Sequence, residues 1–307
     1  MKKILLFGGS GLVGSGLKQF LSNKYQIIVP THNKADVTER SKIVKFIEHM
    51  KPDNIIYAVG MASIDKAEED PNLAYLLNAK VPAFLAKTAK NFAIPFLYFS
   101  TNAVFDGTKK DRAYKETDKT NPVSIYGKSK LMGEQMVMYI SDKHCVARII
   151  MPYSTITSKR KNFALVILDA LRKGKRVYGI IDQVINPIYI SSLADAVDAL
   201  IKNSARGIYH LGATNYTTNI KFTKKLAGIF NLNENLIREI SFKEFYREKK
   251  AARTKFCWLD TSKFKNEINN DILISIEDSL KLFHHSLIDS PPVPIDIFRQ
   301  PSGKSKF

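Results

Sequence analysis

Lys3-Ile4-Leu5-Leu6-Phe7-Gly8-Gly9-Ser10-Gly11-Leu12-Val13-Gly14 opens the chain and decides its fold. Lys3 to Phe7, unbroken in apolar character from Ile4 onward, suits a strand buried on both faces. The glycines that follow turn the chain sharply, and Leu12 to Leu21 has the spacing of a helix. Glycine at positions 8, 11 and 14 lets backbone approach a pyrophosphate, whose charge is stabilised at the positive end of the helix. Gly8, Ser10, Gly11, Leu12, Val13 and Gly14 are therefore candidate dinucleotide contacts. The strand before the loop and the helix after it supply the context that a bare glycine pattern lacks.

The same alternation continues outward. Gln26 to Val29 reads as a second strand, Ser41 to Met50 as an amphipathic helix, and Asn54 to Val59 as a third strand. Pro71 to Phe92 reads as one long helix that Pro82 kinks or divides. Pro95 to Ser100, Val123 to Ile140 and Val146 to Met151 follow as strand, helix and strand. Short apolar strands alternating with helices predict an α/β fold, a doubly wound parallel sheet of Rossmann type. After Pro152 the rhythm loosens, which predicts a smaller C-terminal substrate-binding domain. The division expected is 1–155 for the dinucleotide-binding domain, with 180–205 returning to it. The substrate-binding part takes 156–179 and 206–289, and a proline-bearing tail takes 290–307.

Composition narrows the function. With 45% hydrophobic residues the chain holds ample material for a core. Two cysteines are too few for a disulfide framework or a zinc site, so a reducing, cytoplasmic setting is expected. No apolar run approaches the ~20 residues that span a bilayer, so no membrane span is expected. The net charge of +18 is spread along the chain, with concentrations at Lys159 to Lys161, Arg172 to Arg176 and Arg247 to Lys255. Cationic walls gather anionic ligands. With no nucleic-acid-binding motif present, a dinucleotide and a nucleotide-diphosphate sugar account for the charge, and no nucleic-acid partner is expected.

Tyr126 and Lys130 stand four apart in a predicted helix, which puts phenol and ammonium on one face. A neighbouring cation favours phenolate, so Lys130 is expected to lower the tyrosine pKa and make Tyr126 a usable acid. The strand ending at Ser100 delivers Thr101 and Asn102 to the carboxyl edge of the sheet, where open α/β folds bind their ligands. Thr101, Tyr126 and Lys130 are the candidate catalytic set. Ala58, Val59 and Gly60 end the third strand beneath the expected cofactor. At the end of the second strand Thr31, Asp36 and Val37 are further cofactor candidates. No acid precedes Asp36 there, and Thr31, His32 and Lys34 can meet a phosphate. NADP(H) is thus favoured, with NAD(H) left open.

These motifs together resemble the extended short-chain dehydrogenase/reductases, and within them the dTDP-4-dehydrorhamnose reductase-like sugar-nucleotide reductases. The resemblance runs over about residues 1 to 290. It is carried by the Gly8 loop, Asp65-Lys66-Ala67-Glu68, Leu77-Asn78-Ala79, Ser100-Thr101-x-x-Val104-Phe105-x-Gly107, Tyr126-Gly127-Lys128-Ser129-Lys130 and Asp182-Gln183. It implies an NAD(P)-dependent oxidoreductase of a nucleotide-activated 4-keto-6-deoxy sugar, in dTDP-rhamnose or related surface-polysaccharide biosynthesis. Three places depart from the family: Asn102-Ala103, Pro187-Ile188, and Ile149-Ile150-Met151-Pro152-Tyr153. The related 4,6-dehydratases carry Asp-Glu where Asn102-Ala103 stands, so dehydration is not expected. A nucleotide-sugar 4-epimerase and a cofactor-bound regulatory subunit remain as alternatives, and a homodimer is allowed. Candidate substrate contacts are Asn102, Tyr153, Lys159, Arg160 and Arg253.

Overall fold

A computed structural model describes residues 1–30, 39–156, 162–256, 258–269 and 271–289. Ten strands are found among them. In chain order they are β1 (Lys3–Phe7), β2 (Gln26–Ile28), β3 (Asn54–Tyr57), β4 (Phe96–Thr101) and β5 (Cys145–Ile149). These are followed by β6 (Val177–Ile180), β7 (Val184–Ile185), β8 (Gly207–Leu211), β9 (Thr217–Thr218) and β10 (Ile237–Ile240). The main sheet has six parallel strands in the order β2-β1-β3-β4-β5-β8.

The unbroken apolar runs follow from burial on both faces. Ile4 and Leu6 of β1 enter one core cluster while Leu5 and Phe7 enter another. Strand β4 divides the same way, with Leu97 and Phe99 on one side and Phe96 and Tyr98 on the other. Successive side chains of a strand point to opposite faces, so a central strand needs an apolar residue at every position.

The helix expected over Pro71 to Phe92 is an α-helix to Tyr75, a π-helical turn over Leu76–Lys80 and an α-helix over Val81–Asn91. Pro82 has no N–H to give the carbonyl four residues back. That carbonyl, on Asn78, instead accepts from the Tyr98 hydroxyl at 2.6 Å. The proline's missing bond is replaced by one that ties the helix to β4.

One boundary differs from the sequence expectation. Gly207–Leu211, assigned to the substrate-binding part, is hydrogen-bonded along β5 as the sixth strand of the main sheet. Its alternate residues Tyr209 and Leu211 pack into the larger core, which a small separate layer would not cover. Outside the main sheet, β6 and β10 form a parallel pair, and β7 and β9 an antiparallel pair. No helix of the described residues is long and apolar enough to cross a membrane.

Candidate active site

The strand order reverses between β1 and β3, which pair with Phe7 opposite Tyr57. Loops leaving the carboxyl ends of two such strands diverge and leave a crevice. The loop after β1 and the Ala58–Gly60 segment after β3 meet there. A side chain on Gly14 would place its Cβ 2.1 Å from the Gly8 carbonyl oxygen, so this glycine serves the fold of the loop itself. Gly11 is different. Its Cβ would meet nothing closer than the Gly8 oxygen at 3.5 Å, an ordinary contact, and its φ is −80°. It stands as N-cap of the helix Leu12–Leu21 with no side chain capping that end. The space beside Gly11 and the uncapped helix end fit a pyrophosphate. Gly11, Leu12, Val13, Ala58, Val59 and Gly60 all line the resulting cleft, while Ser10 is exposed at the loop tip.

Thr101, Tyr126 and Lys130 come together on the floor of the same cleft. Thr101 ends β4, and its Oγ1 accepts from the Ala103 N–H at 3.1 Å, starting a 3-10 turn that carries Asn102 to the wall. Tyr126 and Lys130 lie on the helix Ile125–Ile140. Two residues pin its start: Ser124 Oγ accepts from the Gly127 N–H at 3.2 Å, and Glu68 Oε1 from the Ile125 N–H at 2.8 Å. Sequence reading left Glu68 without a task. It fixes the turn that presents the tyrosine.

Charge at this centre is set by burial. Lys130 is 6% exposed; its Nζ donates to the Phe99 carbonyl at 2.9 Å and lies 4.8 Å from the centre of the Tyr98 ring. Loss of water brings the ammonium down to about 7, against the pull of the Glu134 carboxylate one turn along. The expected effect of Lys130 on Tyr126 is not what the structure shows. Burial raises the phenol above its ordinary range, and the group opposing that rise is Thr101, hydrogen-bonded to it. An ammonium that is itself half neutral at pH 7 is a weak source of phenolate stabilisation.

Beneath the floor, Asn78 Nδ2 donates to Ser129 Oγ at 2.9 Å, and its Oδ1 accepts from the Met61 N–H at 3.0 Å. The loop after β3 and the Tyr126 helix are thereby joined. Arg148 makes a buried ion pair with Glu134 at 2.7 Å, and its Nη1 meets His210 Nε2 at 3.3 Å. Ser100 Oγ, also on the cleft wall, is buried with no protein partner, a polar atom suited to a ligand contact.

The cleft measures about 1040 Å³ and runs outward from this floor. Its far wall is built from Phe163, Val166 and Ile167 on the helix Phe163–Arg172, from Tyr178 of β6, and from Phe245 and Tyr246. Arg176, Gln183 and Arg253 supply polar groups there. Sequence reading named Arg253 and missed the aromatic wall, because its members are scattered over more than eighty residues with no shared motif. Tyr153 is a correction. It has no exposure and is packed among the rings of Phe163, Tyr189, Phe222 and Phe283, so it is a core residue and not a sugar contact. Arg172 lies over the Phe230 ring at 5.4 Å, outside the cleft lining. Thr31, Asp36, Val37, Lys159 and Arg160 lie outside the described residues.

A doubly wound sheet with a glycine cradle at its switch point, and a Thr-Tyr-Lys set on the adjoining floor, defines a nucleotide-dependent oxidoreductase of the short-chain dehydrogenase/reductase class. Residues 1–283 match the family model described as the RmlD substrate binding domain, and the chain belongs to that family. It is 34% identical over 224 residues to dTDP-4-dehydrorhamnose reductase of Salmonella typhimurium, covering 70% of this chain and 74% of that one. It is also 26% identical over 274 residues to the probable low-salt glycan biosynthesis reductase Agl14 of Haloferax volcanii, covering 85% and 90%. A crystal structure of dTDP-4-dehydrorhamnose reductase from Bacillus anthracis in complex with NADP superposes with a TM-score of 0.85 at 26% identity, over 93% of this chain and 100% of that one.

Proposed function

We propose that this protein reduces the 4-keto group of a nucleotide-activated 4-keto-6-deoxy sugar with NADPH, on a route to a surface polysaccharide. The observation that carries the reading is the meeting of Thr101, Tyr126 and Lys130 on the floor of one cleft with the glycine cradle. The dTDP-4-dehydrorhamnose reductases and the glycan biosynthesis reductase among its relatives support the substrate class, and the NADP complex supports the cofactor. NAD(H) is the second choice. The reading sets the protein in the cytoplasm and is compatible with a homodimer.

A reduced nicotinamide, when bound, would supply the hydride that the keto carbon accepts. The protein supplies the rest. Thr101 Oγ1 donates to the keto oxygen and polarises it, while Tyr126 gives its phenolic proton to the oxygen as negative charge develops there. A phenol raised by burial holds its proton until that charge appears, which suits an acid better than a base. Lys130, with its pKa near 7, would hold the nicotinamide ribose and can return a proton to Tyr126. Gly11 and the start of the helix Leu12–Leu21 would hold the pyrophosphate. Asn102 and Ala103 offer no carboxylate for eliminating water, so the step ends at the alcohol.

The test is direct. Purified protein with dTDP-4-dehydrorhamnose should oxidise NADPH, and Tyr126→Phe should slow turnover by ~10²–10⁴, the range of a lost general acid. NADPH affinity should persist in that variant. Near wild-type turnover by Tyr126→Phe would falsify the acid assignment.

A further inference from the structure

The helix Ile64–Glu69 forms one bank of the cleft mouth, with Ile64 on its wall. Ser63 caps this helix, its hydroxyl accepting from the Lys66 N–H at 3.4 Å. The Asp65 carboxylate is therefore not needed for the cap, and it reaches to the opposite bank instead. Its Oδ1 accepts from the Ala251 N–H at 3.3 Å, and its Oδ2 pairs with Arg253 Nη2 at 2.9 Å. One carboxylate thus holds two groups of a segment more than 180 residues away in the chain. Lys250 adds an exposed pair with Glu69 of the same helix at 3.3 Å.

Arg253 is held on three sides. Besides Asp65, its Nη1 donates to the Ala251 carbonyl at 2.9 Å, and its guanidinium lies 5.7 Å from the centre of the Tyr246 ring. Tyr246 and Arg253 both line the cleft. The arginine side chain is 13% exposed and the aspartate 34%, so this pair is better sheltered than an ordinary surface pair. A guanidinium carries five N–H donors in a fixed fork, and two contacts to Asp65 and Ala251 leave donors for another acceptor. Hydrogen bonds from Arg253 and Ala251 hold the Asp65 carboxyl below its usual range despite the opposing effect of burial. The contact thus persists through the neutral range.

We propose that Asp65 is a positioning residue for substrate binding: by gripping Ala251 and Arg253 across the cleft mouth, it aims the Arg253 guanidinium at the diphosphate of the nucleotide sugar. The inference rests on the proposed function. Its physical basis is preorganisation. An arginine side chain free to rotate loses entropy when it clamps a ligand, and one already fixed does not. The charge of Asp65 makes the idea testable by sign. A carboxylate near a diphosphate repels it, so if Asp65 acted only through its charge, removing that charge would tighten binding. If Asp65 positions Arg253, removing it weakens binding.

The experiment uses full-length protein and thymidine diphosphate as probe, with affinities read by calorimetry for the wild type, Asp65→Asn, Arg253→Ala and the double variant. Asp65→Asn should weaken the diphosphate about tenfold, the worth of one charge-assisted hydrogen bond. NADPH affinity should stay unchanged, which also reports that the variant is folded. The KM for the keto-sugar should rise more than kcat falls, and Asp65→Glu should recover most of the loss. Arg253→Ala should cost at least as much, and the double variant no more than Arg253→Ala, because Asp65 acts through that arginine. Unchanged or tighter diphosphate binding in folded Asp65→Asn, or full additivity in the double variant, overturns the positioning role alone. A wild type that binds no thymidine diphosphate and reduces no keto-sugar overturns the proposed function with it.

Discussion

Replacing Lys130 with methionine should make the protein more stable while disabling it. The ammonium has an ordinary pKa of 10.5, and burial brings it to about 7. At ~1.36 kcal/mol for each tenfold, carrying this lysine into the fold costs ~5 kcal/mol at neutral pH. Methionine has a similar length and no charge, so that cost disappears. Against the gain stand the lost hydrogen bond to the Phe99 carbonyl at 2.9 Å and the contact with the Tyr98 ring. A buried carbonyl left without its partner costs ~1–3 kcal/mol. A net gain of ~2–4 kcal/mol at pH 7 follows. The sign with pH is fixed. Because the folded pKa lies below the unfolded one, the unfolded chain binds more protons between about 7 and 10.5, and wild-type stability from this group rises with pH across that window. The advantage of Lys130→Met should therefore be largest at or below pH 7 and shrink steadily towards pH 10. Urea unfolding of both proteins at several pH values, with matching m-values, measures it. A variant less stable than wild type at pH 7, or a stability gap that does not change with pH, would refute the burial argument.

Two further outcomes test the frame around the site. Gly11→Val should fold, since a Cβ there meets only an ordinary contact, yet lose NADPH binding in a fluorescence titration; retained affinity returns the loop to a merely structural turn. Glu134→Gln should leave the Arg148 charge buried without its counterion and lower unfolding free energy by ~3–5 kcal/mol, measured by denaturant titration. A loss below ~1 kcal/mol would mean that His210 and the Phe105 ring suffice to hold the arginine.

The parts of the site legible in the sequence are those in which chemistry is local. Gly8 to Gly14 follow a strand directly, and Tyr126 and Lys130 are neighbours because a helix repeats about every four residues, so no tertiary knowledge is needed to pair them. The alternation of β1 and β4 between two cores is also local, which is why the doubly wound sheet could be read from apolar runs alone. What could not be read depends on depth. A sequence shows Lys130 beside Tyr126 and suggests a permanent cation; only the fold shows that Phe99 and Tyr98 enclose it and strip its water. The same blindness assigned Tyr153 to the sugar, when four aromatic rings brought from distant segments enclose it.

The Asp65-Lys66-Ala67-Glu68 segment shows the limit most clearly. As sequence it reads as a helix start, and Asp65 as its first acid. In the fold Ser63 performs the capping, which releases Asp65 for Arg253 and Glu68 for the Ile125 N–H. One short helix thus touches both the turn that presents Tyr126 and the segment that carries Arg253. The positions of Tyr126 and of Arg253 are set from the same six residues. A substitution at Glu68 should therefore disturb chemistry at the floor, and one at Asp65 should disturb binding at the mouth, though the two acids are three residues apart.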